Sequence, residues 1–345
     1  MSISEVRILL RNSTGLGNSS DTGLRNVEQV LVPILDVLIL VLGVSGQTMV
    51  MVILCGRRRS GAGHIGQSSQ SSQTGTGTDV LLLALSAADL LFLCVLPFHT
   101  VASAMQQWPF GEFMCRLVSF FGSAWSSASA FTLATLAISR YLTVVKPNRA
   151  FSLLSPRRVS IAAALLWVPA CCLAAPQLIF RFVGSPQATD GNACFAFLSH
   201  RDQLIYGLLH FFVAFLFPLV TIAVAYGSIY MFLWGKQHAG RVPQVERYQS
   251  KVTQTSAMLV LAFTLCWLPS YGLTLALLAD DVSGATGASP RYGTFSVFSR
   301  LMATSSTVMN PILYVLMSQK FRQDLLRLFK IGGQRASVAV DMAAA

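Results

Sequence analysis

The sequence predicts an all-α membrane protein: a seven-transmembrane helix bundle followed by a short C-terminal amphipathic helix. Three observations carry that expectation. The 345 residues are 53% hydrophobic and only 11% charged, against about 25% charged residues in a soluble domain. The apolar residues gather in blocks near 30–55, 80–104, 116–145, 158–179, 203–234, 252–278 and 294–317. Each block has the length a helix needs to cross about 30 Å of hydrocarbon. None shows period-2 alternation, so helices rather than barrel strands must satisfy their backbone groups in lipid.

The chain divides accordingly into an extracellular tail (1–27), the bundle (28–317), an amphipathic helix (318–330) and a cytoplasmic tail (331–345). Orientation follows from the basic residues. The first, third and fifth connections and the C-terminal tail carry most of them, among them Arg57, Arg58, Arg59, Lys146, Arg157, Arg158, Lys236, Arg241, Lys320 and Arg327, against Glu246, Asp324 and Asp341. The positive-inside rule puts those segments in the cytoplasm and the N-terminus outside. The formal charge of +11 reflects this asymmetry and suits an anionic leaflet rather than nucleic acid. Asn12 and Asn18 head glycosylation sequons, useful only where that end reaches the secretory lumen. Residues 1–11 hold no signal-peptide core, so the first span is expected to act as an uncleaved signal.

The first connection, from Arg57 to Thr78, is rich in Gly, Ser and Gln and reads as flexible. After the seventh span, Phe321, Leu325, Leu328 and Phe329 share one helical face, with basic residues opposite, the pattern of a helix lying in the interface. The tail has no cysteine to palmitoylate. There is no internal repeat, which argues against an inverted-repeat transporter. The five histidines show no metal spacing, and no Ser/His/Asp constellation appears, which argues against an enzyme.

Polar groups at membrane depth are costly and mark function. Asp89 lies mid-block in the second span, Arg140 near the inner end of the third, Cys266-Trp267-Leu268-Pro269 in the sixth, and Asn310-Pro311-Ile312-Leu313-Tyr314 in the seventh. Together with Trp167, Pro218, Tyr226, Phe263, Cys115 and Cys194, this set resembles the class A, rhodopsin-like G-protein-coupled receptors. The resemblance runs from the first span to Phe329. Trp108-Pro109-Phe110-Gly111, the run Thr78–Leu90, Ser129–Ala134 and Ser155-Pro156-Arg157-Arg158 look most like the peptide-receptor branch that holds the galanin, kisspeptin and allatostatin receptors.

The resemblance implies roles. Cys115 and Cys194 are expected to form a disulfide over the outer mouth. Asp89, Ser129, Ser306, Thr307 and Asn310 are expected to form a polar core that holds a sodium ion, the alternative being a hydrogen-bonded Asp89 with no ion. Phe263, Trp267 and Pro269 are expected to couple ligand to movement of the sixth helix. Tyr226 and Tyr314 are expected to swing toward Arg140 when a heterotrimeric G protein enters, with arrestin, receptor kinases and membrane lipids as further partners at the plasma membrane. Three positions depart from the family pattern. Ser139 replaces the acid before Arg140, Gln249 stands where the sixth helix often has an acid, and Gln47 replaces an Asn. A weakened clamp on Arg140 predicts raised ligand-independent activity.

Where amine receptors of the family carry an Asp, this chain has Gly122, and the seventh span lacks a Lys for retinal. A peptide ligand remains, galanin-like favoured, with a non-peptide ligand or a polytopic transporter as alternatives. Its contacts are expected among His99, Gln106, Phe195, Phe197, His200, Gln203, Tyr206, His210, Tyr271 and Arg300. Arg300 suits either a ligand carboxylate or snorkelling to the interface. Asp36 suits either a ligand contact or the interface. The remaining cysteines, Cys55, Cys94, Cys171, Cys172 and Cys266, are expected to be buried small hydrophobes.

Overall fold

A computed structural model describes residues 18–62, 70–184, 192–196, 200–238, 244–282, 293–317 and 321–328. Among the described residues, six helical segments are long and apolar enough to cross a membrane on their own: Gln29–Arg58, Gly77–Met105, Gly111–Val145, Pro156–Phe180, Leu204–Lys236 and Ala257–Ala276. The seventh helix, Gly293–Met317, is comparably long. It reaches that apolarity only together with the short helix Phe321–Leu328, because one face carries buried Ser299, Thr304, Ser306, Thr307 and Asn310. Polarity on that face points inward, where other helices supply partners, so it is compatible with a span.

The first helix extends beyond its apolar block at both ends, over Asn18–Ala62. The supposedly flexible connection is therefore helical up to Ala62 and again from Gln70; Ser, Gln and Gly lower helix propensity without forbidding a helix that continues one already nucleated. Residues 63–69 lie outside the described residues. One face of the first span, with Ile34, Val37, Leu38 and Val41, is exposed as lipid contact requires. The other bears Gly43 and Gly46. A Cβ on Gly43 would lie 2.8 Å from a Leu93 methyl, and one on Gly46 2.9 Å from the Pro311 ring. Missing side chains thus let the first span lie directly against the second and seventh, and they carry Gln47 to full burial.

Prolines set the breaks. The second span turns at Cys94–Val95, just ahead of Pro97, and resumes at Leu96–Met105. The fourth is built from Pro156–Leu165, Trp167–Ala174 and Pro176–Phe180, with Pro169 and Pro176 each lacking the N–H that would continue the ladder. In the fifth, a wide π-helical turn over Phe211–Leu216 precedes Pro218. Pro269 and Pro311 lie inside continuous helices.

The third span is the central post. Its small residues Ala124 and Ser126 to Ala130 are buried, with Trp125 half-buried between them. Below it, Leu133 and Ala137 pack with Val50, Leu54, Leu85, Ile222, Leu259, Tyr314 and Phe321 into one apolar cluster. A feature absent from the sequence reading caps the outer end: strand β1 (Arg181–Gly184) pairs antiparallel with β2 (Ala193–Ala196), Val183 opposite Cys194.

Candidate ligand site and signalling core

The hairpin is fastened to the top of the third span. Cys194 is disulfide-bonded to Cys115. Arg116 Nε donates to the Arg181 carbonyl at 3.1 Å, while its guanidinium lies 4.9 Å from the Phe182 ring centroid and pairs with Glu112. The Trp108 amide donates to the Asn192 carbonyl at 2.6 Å.

Beneath the hairpin is a cavity of about 1050 Å³. Of the expected ligand residues, His99, Gln106, Tyr206, His210, Tyr271 and Arg300 line it, and so does Gly122. Phe195 belongs to β2, but its side chain, those of His200 and Gln203, and all of Phe197 lie outside the described residues. The sequence reading missed Gln177, Arg181, Trp108 and Ser123, which also line the wall. Gln177 interrupts an apolar run, and that was the available signal.

The cavity floor is aromatic. His210 meets Ser123 Oγ through Nε2 at 3.1 Å and stacks on Tyr271, centroids 6.0 Å apart. Tyr271 lies 6.3 Å from Trp267, which lies 5.7 Å from Phe263 and 5.9 Å from Phe92. Three of these rings are spaced one turn apart on the sixth helix, spanning the Pro269 region. Tyr271 is thereby linked to Phe263 through Trp267. Trp267 Nε1 donates to Ser306 Oγ at 3.3 Å, so the same column touches the seventh span.

Arg300 and Asp36 resolve each other. Arg300 Nη1 donates to Asp36 Oδ2 at 3.0 Å and to Oδ1 at 3.2 Å, with Thr100 Oγ1 3.4 Å from Oδ2. Asp36 is fully buried. Arg300 thus lines the cavity while paired from within with Asp36, and among the described residues its Nη2 has no hydrogen-bond partner.

Deeper, Asp89 is a hub. Its Oδ2 accepts from Asn310 Nδ2 at 2.6 Å and Gln47 Nε2 at 2.9 Å, and Oδ1 accepts from Ser129 Oγ at 3.2 Å. Gln47 also donates to the Thr307 carbonyl at 2.7 Å, so its longer arm fits. Ser306 and Thr307 instead donate to the Ala303 and Thr304 carbonyls of their own helix. Buried acceptors remain at Gln47 Oε1 and Ser86 Oγ.

At the inner end Arg140 is half-buried. Ser139 is buried and donates to the Leu136 carbonyl at 2.7 Å. Gln249's side chain lies outside the described residues. Tyr226 packs at the edge of the apolar cluster, and Tyr314 is buried 5.8 Å from the Phe321 ring. Helix Phe321–Leu328 is tied to the first span by Arg57 Nε donating to Asp324 at 2.6 Å. Phe321 is buried and Leu325 half-buried, whereas Leu328 is exposed; Phe329 lies outside the described residues. Asn12 is also outside them, and Asn18 opens the first helix. Cys55, Cys94 and Cys172 are exposed on helix faces, Cys171 is half-buried and only Cys266 is buried. The expectation of burial fails for the first three because in lipid the outer surface, not the core, is the apolar side.

A ligand-sized outer cavity, a ring column and an intramembrane polar hub define a multi-pass membrane receptor rather than an enzyme. The model of the "7 transmembrane receptor (rhodopsin family)" matches residues 66–314, and the chain belongs to that family. It is 30% identical to mouse galanin receptor type 3 over 314 residues, covering 90% of this chain and 81% of the mouse protein. Zebrafish galanin receptor 2b is 28% identical over 325 residues, covering 93% and 80%. Rat somatostatin receptor type 5 is 29% identical over 324 residues, covering 91% and 80%.

Proposed function

We propose that this chain is a plasma-membrane receptor whose outer cavity takes an extracellular neuropeptide of the galanin type, and whose cytoplasmic end activates heterotrimeric G proteins. The observation that carries it is the unbroken contact path from His210 through Tyr271 and Trp267 to Phe263. Gly122 on the cavity wall offers an ammonium ligand no counter-charge, which weighs against amines. The basic residues of the inner connections support an N-terminus outside, and the exposed Leu326 and Leu328 of helix Phe321–Leu328 suit the membrane interface. Arrestin and receptor kinases are the partners expected once a G protein has been engaged. Membranes holding the receptor and added G protein should show GTP exchange that rises on addition of galanin. No response to galanin, with a response to another peptide of a neuropeptide panel, would remove the ligand name and leave the class.

Raised basal activity belongs to the same reading. Ser139 bonds its own helix at Leu136 and carries no charge to hold Arg140. An added ion pair worth about 1 kcal/mol shifts a closed–open ratio about fivefold, so Ser139→Asp should lower ligand-free exchange severalfold. Equal basal exchange in the two receptors removes the idea. A sodium ion at Asp89 is supported by the oxygens of Asp89, Ser129, Gln47 and Ser86, hard donors of the kind such a cation takes. The unfolding temperature should then rise in sodium over potassium chloride, and Asp89→Asn should abolish that difference.

A further inference from the structure

Among the described residues, the outer cavity carries a cation without a counter-charge, at a residue with no assigned role. Arg181 opens β1 and lines the cavity wall. Its Nε donates to Gln177 Oε1 at 2.7 Å. Gln177 Nε2 donates in turn to Tyr206 OH at 2.8 Å, and that hydroxyl donates to the Leu173 carbonyl at 3.2 Å. This chain aligns the guanidinium through Nε, and among the described residues its two terminal nitrogens make no hydrogen bond. Among the described residues no carboxylate pairs with it, and no Asp or Glu lines the cavity. Arg300, the other wall cation, is matched by Asp36.

Burial pushes the Arg181 guanidinium below its usual range, yet arginine stays charged in proteins. Arg181 is half-buried, so its charge is only partly hydrated, and partial loss of water around a charge is costly. A carboxylate meeting the planar fork relieves that cost and adds two charge-assisted hydrogen bonds. A positively charged ligand group would instead be repelled.

We infer that Arg181, held by Gln177 and Tyr206, is the counter-ion site for a carboxylate of the peptide ligand, either its C-terminus or an acidic side chain. This rests on the reading of the outer cavity as the ligand site, but it assumes no particular agonist.

The test uses purified full-length receptor in lipid nanodiscs and a randomised synthetic peptide pool in three forms: free acid, C-terminally amidated, and fully methyl-esterified. Retained peptides are read by mass spectrometry. Wild type should retain the free-acid pool over the esterified pool by about tenfold or more, the range of a hydrogen bond to a charged group. If the amidated pool behaves as the free acid, side chains supply the carboxylate; if it behaves as the ester, the terminus does. Arg181→Gln should erase the preference without lowering the unfolding temperature, and Arg181→Lys, which keeps the charge but not the fork, should retain part of it. Equal retention of acid and ester by wild type, as when an acid of the chain itself neutralises Arg181, overturns the inference. So does a preference that survives in Arg181→Gln. Failure of galanin to activate wild type would strike the proposed ligand and leave this comparison intact.

Discussion

Replacing Arg300 with Ala is expected to lower the receptor's unfolding temperature and its surface level more than any other single change on the cavity wall. Asp36 has no exposed surface, and Arg300 meets both its oxygens, at 3.0 and 3.2 Å. Removing one partner of a buried pair leaves an uncompensated charge and costs about 3–5 kcal/mol. The Thr100 hydroxyl at 3.4 Å is too weak a donor to replace it. The reciprocal change should cost less. Arg300 retains a quarter of its side-chain exposure and borders the cavity, so Asp36→Ala leaves a cation that water can reach. Removing both should recover much of what Arg300→Ala loses, since no charge is then stranded. The measurement is thermal unfolding of the four purified receptors. A double variant as unstable as the sum of the two singles would mean the residues are not coupled.

That pair also shows where the sequence stops informing. Hydrocarbon thickness imposes a length on each span, so the blocks were visible as composition alone. Motifs such as Asp89 in the second span and Asn310-Pro311 in the seventh stand out because polarity in lipid is rare. Their partners are another matter. Asp36 and Arg300 are 264 residues apart, and whether they meet depends on how each helix is rotated about its own axis. That rotation is fixed by packing such as Gly43 against Leu93 and Gly46 against Pro311. Each residue read alone therefore kept two interpretations.

Arg181 was missed for a related reason. An arginine just past an apolar block has the look of an interface anchor. Only the hairpin, whose strands are four residues each and too short for a readable alternation, folds it back over the cavity. Gln47 went the other way. A longer amide than the family's Asn still reaches Asp89 at 2.9 Å, because the two glycines let the first span sit close. Ser306 and Thr307 lie in the right span but direct their hydroxyls at their own helix, a choice that spacing does not encode.

Loss of the Cys115–Cys194 bond should separate ligand response from basal signalling. Cys194 holds β2, and β2 holds β1 through Val183 and its neighbours. Without the bond, the hairpin keeps the Arg116 donation to the Arg181 carbonyl, the Arg116–Phe182 contact and the Trp108–Asn192 bond. Each contributes about 1 kcal/mol, whereas a native disulfide contributes about 2–5 kcal/mol. The roof of the cavity should loosen and peptide potency should fall by about tenfold or more, since 1.4 kcal/mol is a factor of ten. Asp89, Ser139 and Arg140 lie deeper in the bundle, and the hairpin meets the third span only near its outer end, at Cys115 and Arg116, several turns from Ser139 and Arg140. Ligand-free GTP exchange per surface receptor should accordingly change little. Cys115→Ala and the double variant with Cys194→Ala should match, because a bond is lost only once, and the double variant also removes any stray thiol that could mispair. Dose–response curves for an activating peptide, read beside basal exchange, decide the matter. Equal falls in both readouts would mean that the disulfide supports the whole bundle and not the roof alone.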